Sequence, residues 1–133
     1  MHQLNKVLKS MTLEFFGGGN HKMTAAKFVT ADNTFFLDVR AREEFETVSF
    51  GLKHHVPSAH IPIDQIADRL HELPDNKTIG VFCASGIRSA MVYLYLRANG
   101  FENVRIIEGG YAELLAELKP GKLLKRLNEQ AAL

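Results

Sequence analysis

Thr78-Ile79-Gly80-Val81-Phe82-Cys83-Ala84-Ser85-Gly86-Ile87-Arg88-Ser89 is the stretch on which the fold turns. Its first half is an apolar run that reads as a buried strand, and a helical pattern begins near Arg88. Between the two, the chain's only cysteine enters a tight turn. The first amides of a helix lack internal partners and point outward. An anion held there gains several hydrogen bonds and the positive end of the helix dipole. A thiol so placed falls below its reference pKa of about 8.5 and turns nucleophilic near neutral pH. Cys83 is therefore the candidate catalytic residue, for covalent sulfur chemistry.

Working outward, Thr34-Phe35-Phe36-Leu37-Asp38-Val39 is a compact apolar run suited to a buried parallel strand. Val104-Arg105-Ile106-Ile107 reads as another strand. Pro57 and Pro62 confine any strand between them to a short one around Ala59 to Ile61. Leu4, Val7, Leu8 and Met11 predict one amphipathic helix within residues 1–16, ending before Gly17-Gly18-Gly19-Asn20. Thr24 is placed to cap a brief helix from Ala25 to Val29, and another short helix starts at Arg42. Asp64 heads a helical pattern with Ile66, Ala67, Leu70 and Leu73 on its apolar face. The helix after the cysteine turn is expected to bury Ile87, Met91, Leu94 and Ala98 and to end at Asn99-Gly100. A further helix runs from about Tyr111 to Leu118, and helical leucines return after Pro120.

Strands alternating with helices predict an α/β fold, a sheet flanked on both faces. The expected organisation is an N-terminal helical extension and glycine-rich turn over 1–30, a domain over 31–119, and a helical tail over 120–133. In such sheets ligands sit at the carboxyl ends of strands. Asp38 and Cys83 each close a strand, so both should face one rim.

The 133 residues, 46% apolar and 23% charged, suit a single soluble domain with one core. A net charge of +1 gives no electrostatic case for nucleic acid or an acidic membrane surface. A single cysteine rules out an internal disulfide and any metal site built from several thiolates. The longest apolar run is far short of a membrane span, and the first residues lack a secretory signal, so the chain reads as cytoplasmic.

Several pieces occur together in a recognisable order. They are Leu37-Asp38-Val39-Arg40 with Glu44-Phe45, His55-Val56-Pro57-Ser58-Ala59-His60-Ile61-Pro62, the Cys83–Arg88 loop, Gly100-Phe101-Glu102-Asn103-Val104, and Glu108-Gly109-Gly110-Tyr111. From Phe35 to Leu118 the chain resembles a single-domain rhodanese-like sulfurtransferase. The resemblance implies a three-layer α/β/α domain with a five-stranded parallel sheet. It also implies a Cys83 persulfide that takes sulfane sulfur from thiosulfate, polysulfide or a persulfide and passes it to cyanide, a thiol or a protein acceptor. The C-x4-R spacing from Cys83 to Arg88 is one residue shorter than the C-x5-R of phosphatases of similar architecture, which must cradle a whole phosphate. His54 and Ser58 stand where the family usually carries glycine, the stretch between Phe45 and His55 is long, and the family's tryptophan after the paired glycines is missing.

Both displacements of such a cycle use anions or soft thiolates, so no general base or cofactor is expected. The site must stabilise negative charge. The backbone amides of Ala84, Ser85, Gly86, Ile87, Arg88 and Ser89 are the candidate substrate-binding groups. Arg88 either faces the site or pairs with a carboxylate such as Asp38 or Glu44. The Ser85 and Ser89 hydroxyls either hydrogen-bond the sulfur or cap the helix, and capping is the simpler use for Ser89. Asp38, Arg40 and His55 are expected to brace the loop from behind. His54, His55 and His60 are too loosely spaced to favour a metal site, and none is predicted. The terminal leucines most simply pack on their own domain, with a homodimer seam or a docking face as the alternative. The alternative function is a sulfur-relay or partner-docking module with little small-molecule turnover.

Overall fold

The run Thr34–Asp38 forms a strand, β2, in which every residue is buried, as a strand covered on both faces requires. The computed structural model describes residues 1–52 and 56–132. Ahead of β2 come α1 (His2–Ser10), α2 (Leu13–Gly18), β1 (Lys22–Thr24) and α3 (Ala25–Thr30). After it follow α4 (Arg42–Thr47), β3 (Ser58–His60), two 3-10 turns (Ile63–Asp68 and Leu70–Glu72) and β4 (Thr78–Phe82). The chain closes with α5 (Ile87–Ala98), β5 (Val104–Glu108), α6 (Gly110–Ala116) and α7 (Pro120–Ala132). Five strands form one parallel sheet in the order β1-β5-β4-β2-β3.

Side chains alternate across a strand, so each strand feeds two cores. Phe35, Leu37, Ile79, Val81 and Cys83 pack with Ile66, Val92 and Leu96 on one face. Phe36, Phe82 and Ile107 pack with Phe28, Leu52 and Leu114 on the other. One outer layer is therefore α5 with the 3-10 turns and α1, and the other is α3 with α6. This is the three-layer α/β/α arrangement expected from the resemblance.

Residue-level reading finds four strands; the fifth is β1. It is three residues long and pairs only with β5, Lys22 opposite Ile106 and Thr24 opposite Glu108. The helix that follows it drives Phe28 into the core over Gly80 of β4, where a Cβ would lie 2.3 Å from the ring. Residues 22–30 thus take part in the sheet and its covering layer, inside the stretch assigned above to an N-terminal extension.

Three local expectations are corrected. Residues 1–16 are not one helix: Thr12 adopts extended backbone and its hydroxyl accepts from the Phe15 N–H, restarting the chain as α2 and leaving Phe16 52% exposed. The segment after Pro62 winds as 3-10 turns, and no side chain, Asp64 included, caps it. Finally, α5 buries Ser89, Val92, Tyr93 and Leu96, whereas Ile87 and Met91 are 64% and 59% exposed. The reason is the loop before it. The Ser89 amide reaches back to the cysteine, which fixes the helix phase two residues away from that suggested by the apolar spacing and so turns the opposite face inward.

Both terminal helices touch their own domain, but their leucines pack only in part: Leu8 and Leu124 stay exposed. α1 lies on α5 and buries Val7. α7 is clamped by Arg126, whose guanidinium donates to the Glu117 carbonyl at 2.5 Å and carboxylate at 2.6 Å. Among the described residues, no helix is long and apolar enough to cross a membrane.

Candidate active site

Strand β4 delivers Cys83 to the rim, and the backbone reverses at Gly86 with φ +91°. That left-handed conformation suits glycine because it has no Cβ to clash. Gly86 caps α5 without any side-chain hydrogen bond. Ser89 therefore does not cap the helix, contrary to the sequence reading.

Two amides converge on the sulfur. Cys83 Sγ accepts from the Gly86 N–H at 3.0 Å and from the Ser89 N–H at 3.3 Å. Burial pushes the thiol pKa up, but the Ser89 hydroxyl and the amides of Ser89, Ser85 and Gly86 outweigh it, and the net shift is downward. Among the described residues, the buried Ser89 hydroxyl has no partner in hydrogen-bond geometry. Cys83 itself is only 1% exposed, deeper than the sequence suggested, whereas Ser85 and Ile87 above it are open to solvent. The sulfur forms the floor of the loop.

The loop is braced from two sides. The first brace is the turn before α6: Gly110 has φ +56°, and a Cβ there would lie 2.2 Å from the Ala84 carbonyl oxygen. Any side chain at Gly110 would displace the loop. The second is α4. Arg88 donates to both Glu44 oxygens, at 2.5 and 3.0 Å, and Glu44 also accepts from the Ala41 N–H at 3.0 Å. Of the uses left open for Arg88, the structure takes the pairing with Glu44. The Arg88 hydrogen bond holds the Glu44 carboxyl down at about 2, against 4.5 ordinarily. That pair therefore stabilises the fold above the ordinary carboxylate range and weakens as pH falls toward 2. Arg88 stays charged near the site, raised first by Glu44 and also by the Cys83 thiolate.

Asp38 and Arg40 sit behind the loop. Arg40 is fully buried; its Nε and Nη2 donate to Asp38 at 2.9 and 2.7 Å, and its Nη1 donates to the Tyr111 hydroxyl at 2.9 Å. Burial disfavours its charge, yet the hydrogen bonds to Asp38 and Tyr111 raise its pKa above the ordinary value. Its guanidinium also lies over the rings of Phe50, Phe82 and Tyr111, 5.2 to 5.5 Å from their centroids. Arg40 thus ties β2 to the residue immediately before Cys83 and to α6.

His55, like His54, lies outside the described residues. His60 places Nε2 2.8 Å from the Arg40 carbonyl and stacks on Phe45 with centroids 4.1 Å apart. It fixes backbone near the rim. Sequence reasoning missed Phe50, Tyr111 and the cap-and-anchor use of Glu44. Tyr111 carried a signal, since it follows the paired glycines; Phe50 carried none. Among the described residues, no group of three or more His, Cys, Asp and Glu is placed to hold a metal.

Residues 22–117 match the rhodanese-like domain family. The chain belongs to that family. Among curated relatives, the tRNA sulfurtransferase of Mannheimia succiniciproducens is 33% identical over 82 residues, covering 62% of this chain and 17% of that protein. A rhodanese-related protein of Thermoplasma volcanium superposes with a TM-score of 0.62 at 29% identity, covering 75% of this chain and 95% of that one. A NAD-dependent persulfide reductase of A. fulgidus has a TM-score of 0.57 at 33% identity, covering 75% of this chain and 17% of that one. This rhodanese-like chain thus spans under a fifth of the length of two of these proteins, and nearly all of the third.

Proposed function

We propose that this protein is a sulfurtransferase that carries sulfane sulfur on Cys83. Thiolate Cys83 attacks the outer sulfur of a small anionic donor, thiosulfate, polysulfide or a persulfide, and the donor's remainder leaves with the bonding electrons. A thiophilic acceptor, cyanide or a thiol, then takes the sulfur and returns Cys83 as thiolate. The observation that carries this reading is the pair of amides, from Gly86 and Ser89, aimed at the sulfur. Donors fixed where charge sits need no reorganisation during the reaction.

Near-complete burial of Cys83 favours compact donors that enter between Ser85 and Ile87. The Arg88 charge, held close by Glu44, adds long-range attraction for an anion without contacting it. A cytoplasmic setting, rich in reduced thiols, fits such acceptors. A relay role is the second reading, favoured by the exposed Ile87 and Met91 beside the loop, 64% and 59% open, which give a protein acceptor something apolar to touch.

Intact-mass analysis after exposure to thiosulfate or polysulfide tests the proposal. The expected result is a gain of about one sulfur atom, removed by cyanide with formation of thiocyanate. No gain with any of these donors would refute it. Uptake followed by slow thiocyanate turnover, but rapid transfer to a protein thiol, would select the relay reading.

A further inference from the structure

Ser89 holds the one polar side-chain atom at the site whose place the loop's backbone chemistry does not explain. The residue is fully buried. Among the described residues its hydroxyl has no partner in hydrogen-bond geometry, although an unpaired buried hydroxyl is costly. It does not cap α5, because Gly86 occupies that position. Its own amide lies 3.3 Å from Cys83 Sγ, which anchors the residue, side chain included, beside that sulfur.

We propose that the Ser89 hydroxyl is a catalytic group for the discharge half of the cycle, donating a hydrogen bond to Cys83 Sγ as the bond to the carried sulfur breaks. This rests on the reading of Cys83 as sulfur carrier. In discharge the acceptor's lone pair forms a bond to the outer sulfur, the Sγ–S bond breaks, and its electron pair stays on Sγ. With cyanide, one anion plus the persulfide anion give thiocyanate and the Cys83 thiolate, so charge and atoms balance.

The two halves of the cycle respond differently to a donor on Sγ. In loading, that donor raises the ionised fraction of Cys83 but lowers the nucleophilicity of each thiolate, and the effects oppose one another. In discharge the negative charge moves from the outer sulfur onto Sγ, so a donor there stabilises only the state being formed. The backbone amides of Gly86 and Ser89 serve both steps by position. The hydroxyl can rotate, and its want of another partner leaves it free to meet that charge.

The test compares wild type with Ser89→Ala. Each protein is loaded with thiosulfate, freed of donor and mixed with cyanide, and thiocyanate release is timed over a single turnover alongside intact mass. The Ala variant is expected to load fully, to discharge about tenfold more slowly, and to show a raised midpoint of thiolate absorbance against pH. Its Tm should hold or rise, because alanine removes only an unpaired buried hydroxyl. Discharge at the wild-type rate would overturn the proposal. So would slowed discharge with a lowered Tm and an unmoved midpoint, which describes a merely structural serine. Failure of wild type to take up sulfur from thiosulfate and from polysulfide alike would sink the carrier reading itself, and the discharge role with it.

Discussion

Cys83→Ser is expected to abolish sulfur uptake while leaving the fold in place. Cys83 is the chain's only cysteine, so no second thiol can substitute. A serine hydroxyl ionises far above neutral pH, and oxygen does not form the soft bond to sulfane sulfur that a thiolate forms. The replacement is nearly isosteric in a site only 1% exposed. The Gly86 and Ser89 amides that donate to Sγ can donate to Oγ instead. Stability should therefore change by no more than about 1 kcal/mol. Thermal unfolding, intact mass after donor exposure and thiocyanate formation check these points together. A variant that still gains sulfur, or keeps turnover near the wild-type rate, would remove Cys83 from the chemistry.

Arg40→Ala should produce the largest loss of stability. It strips a fully buried guanidinium from Asp38, itself 2% exposed, and leaves a carboxylate inside the protein without its counter-charge. Breaking one partner of a buried pair costs about 3–5 kcal/mol, a large part of the roughly 5–15 kcal/mol by which domains are stable. The Tyr111 hydroxyl loses its donor as well, and three aromatic rings lose the cation over them. Tm should fall by roughly 10 °C. An Asp38→Leu, Arg40→Met double variant should be less destabilised than Arg40→Ala, because no unpaired charge remains. Denaturant unfolding of the three proteins decides it. Equal losses in single and double variants would mean that packing of the Arg40 stem, not charge pairing, holds this corner together.

The central strands were legible because their apolar runs are long, bounded by turn residues and covered on both faces. β2 came out at Thr34–Asp38, within the run identified by its apolar residues. The cysteine loop was legible too, because a strand, a glycine and a helix in close order leave one geometry for the turn. β1 was not legible. Three residues at a sheet edge, two of them exposed, carry no periodicity, and only pairing with β5 makes them a strand. The phase of α5 failed for a different reason: apolar spacing put Ile87 and Met91 inward, and the tertiary demand that Ser89 reach the sulfur overrode it. The partner of Arg88 depended on where α4 docks, and no local pattern encodes that. Tyr111 and Phe50 reach Arg40 across large sequence separations, which one sequence does not reveal.

With a single cysteine in the chain, far-ultraviolet thiolate absorbance against pH reads the Cys83 charge directly, with no reagent needing access to the buried sulfur. If the loop's amides hold that sulfur as an anion, the folded protein will titrate below the ordinary thiol value of about 8.5, and the urea-unfolded chain will titrate near it. A folded-state midpoint at or above that value would mean that burial outweighs the hydrogen bonds, and the account of Cys83 as a ready thiolate would be wrong.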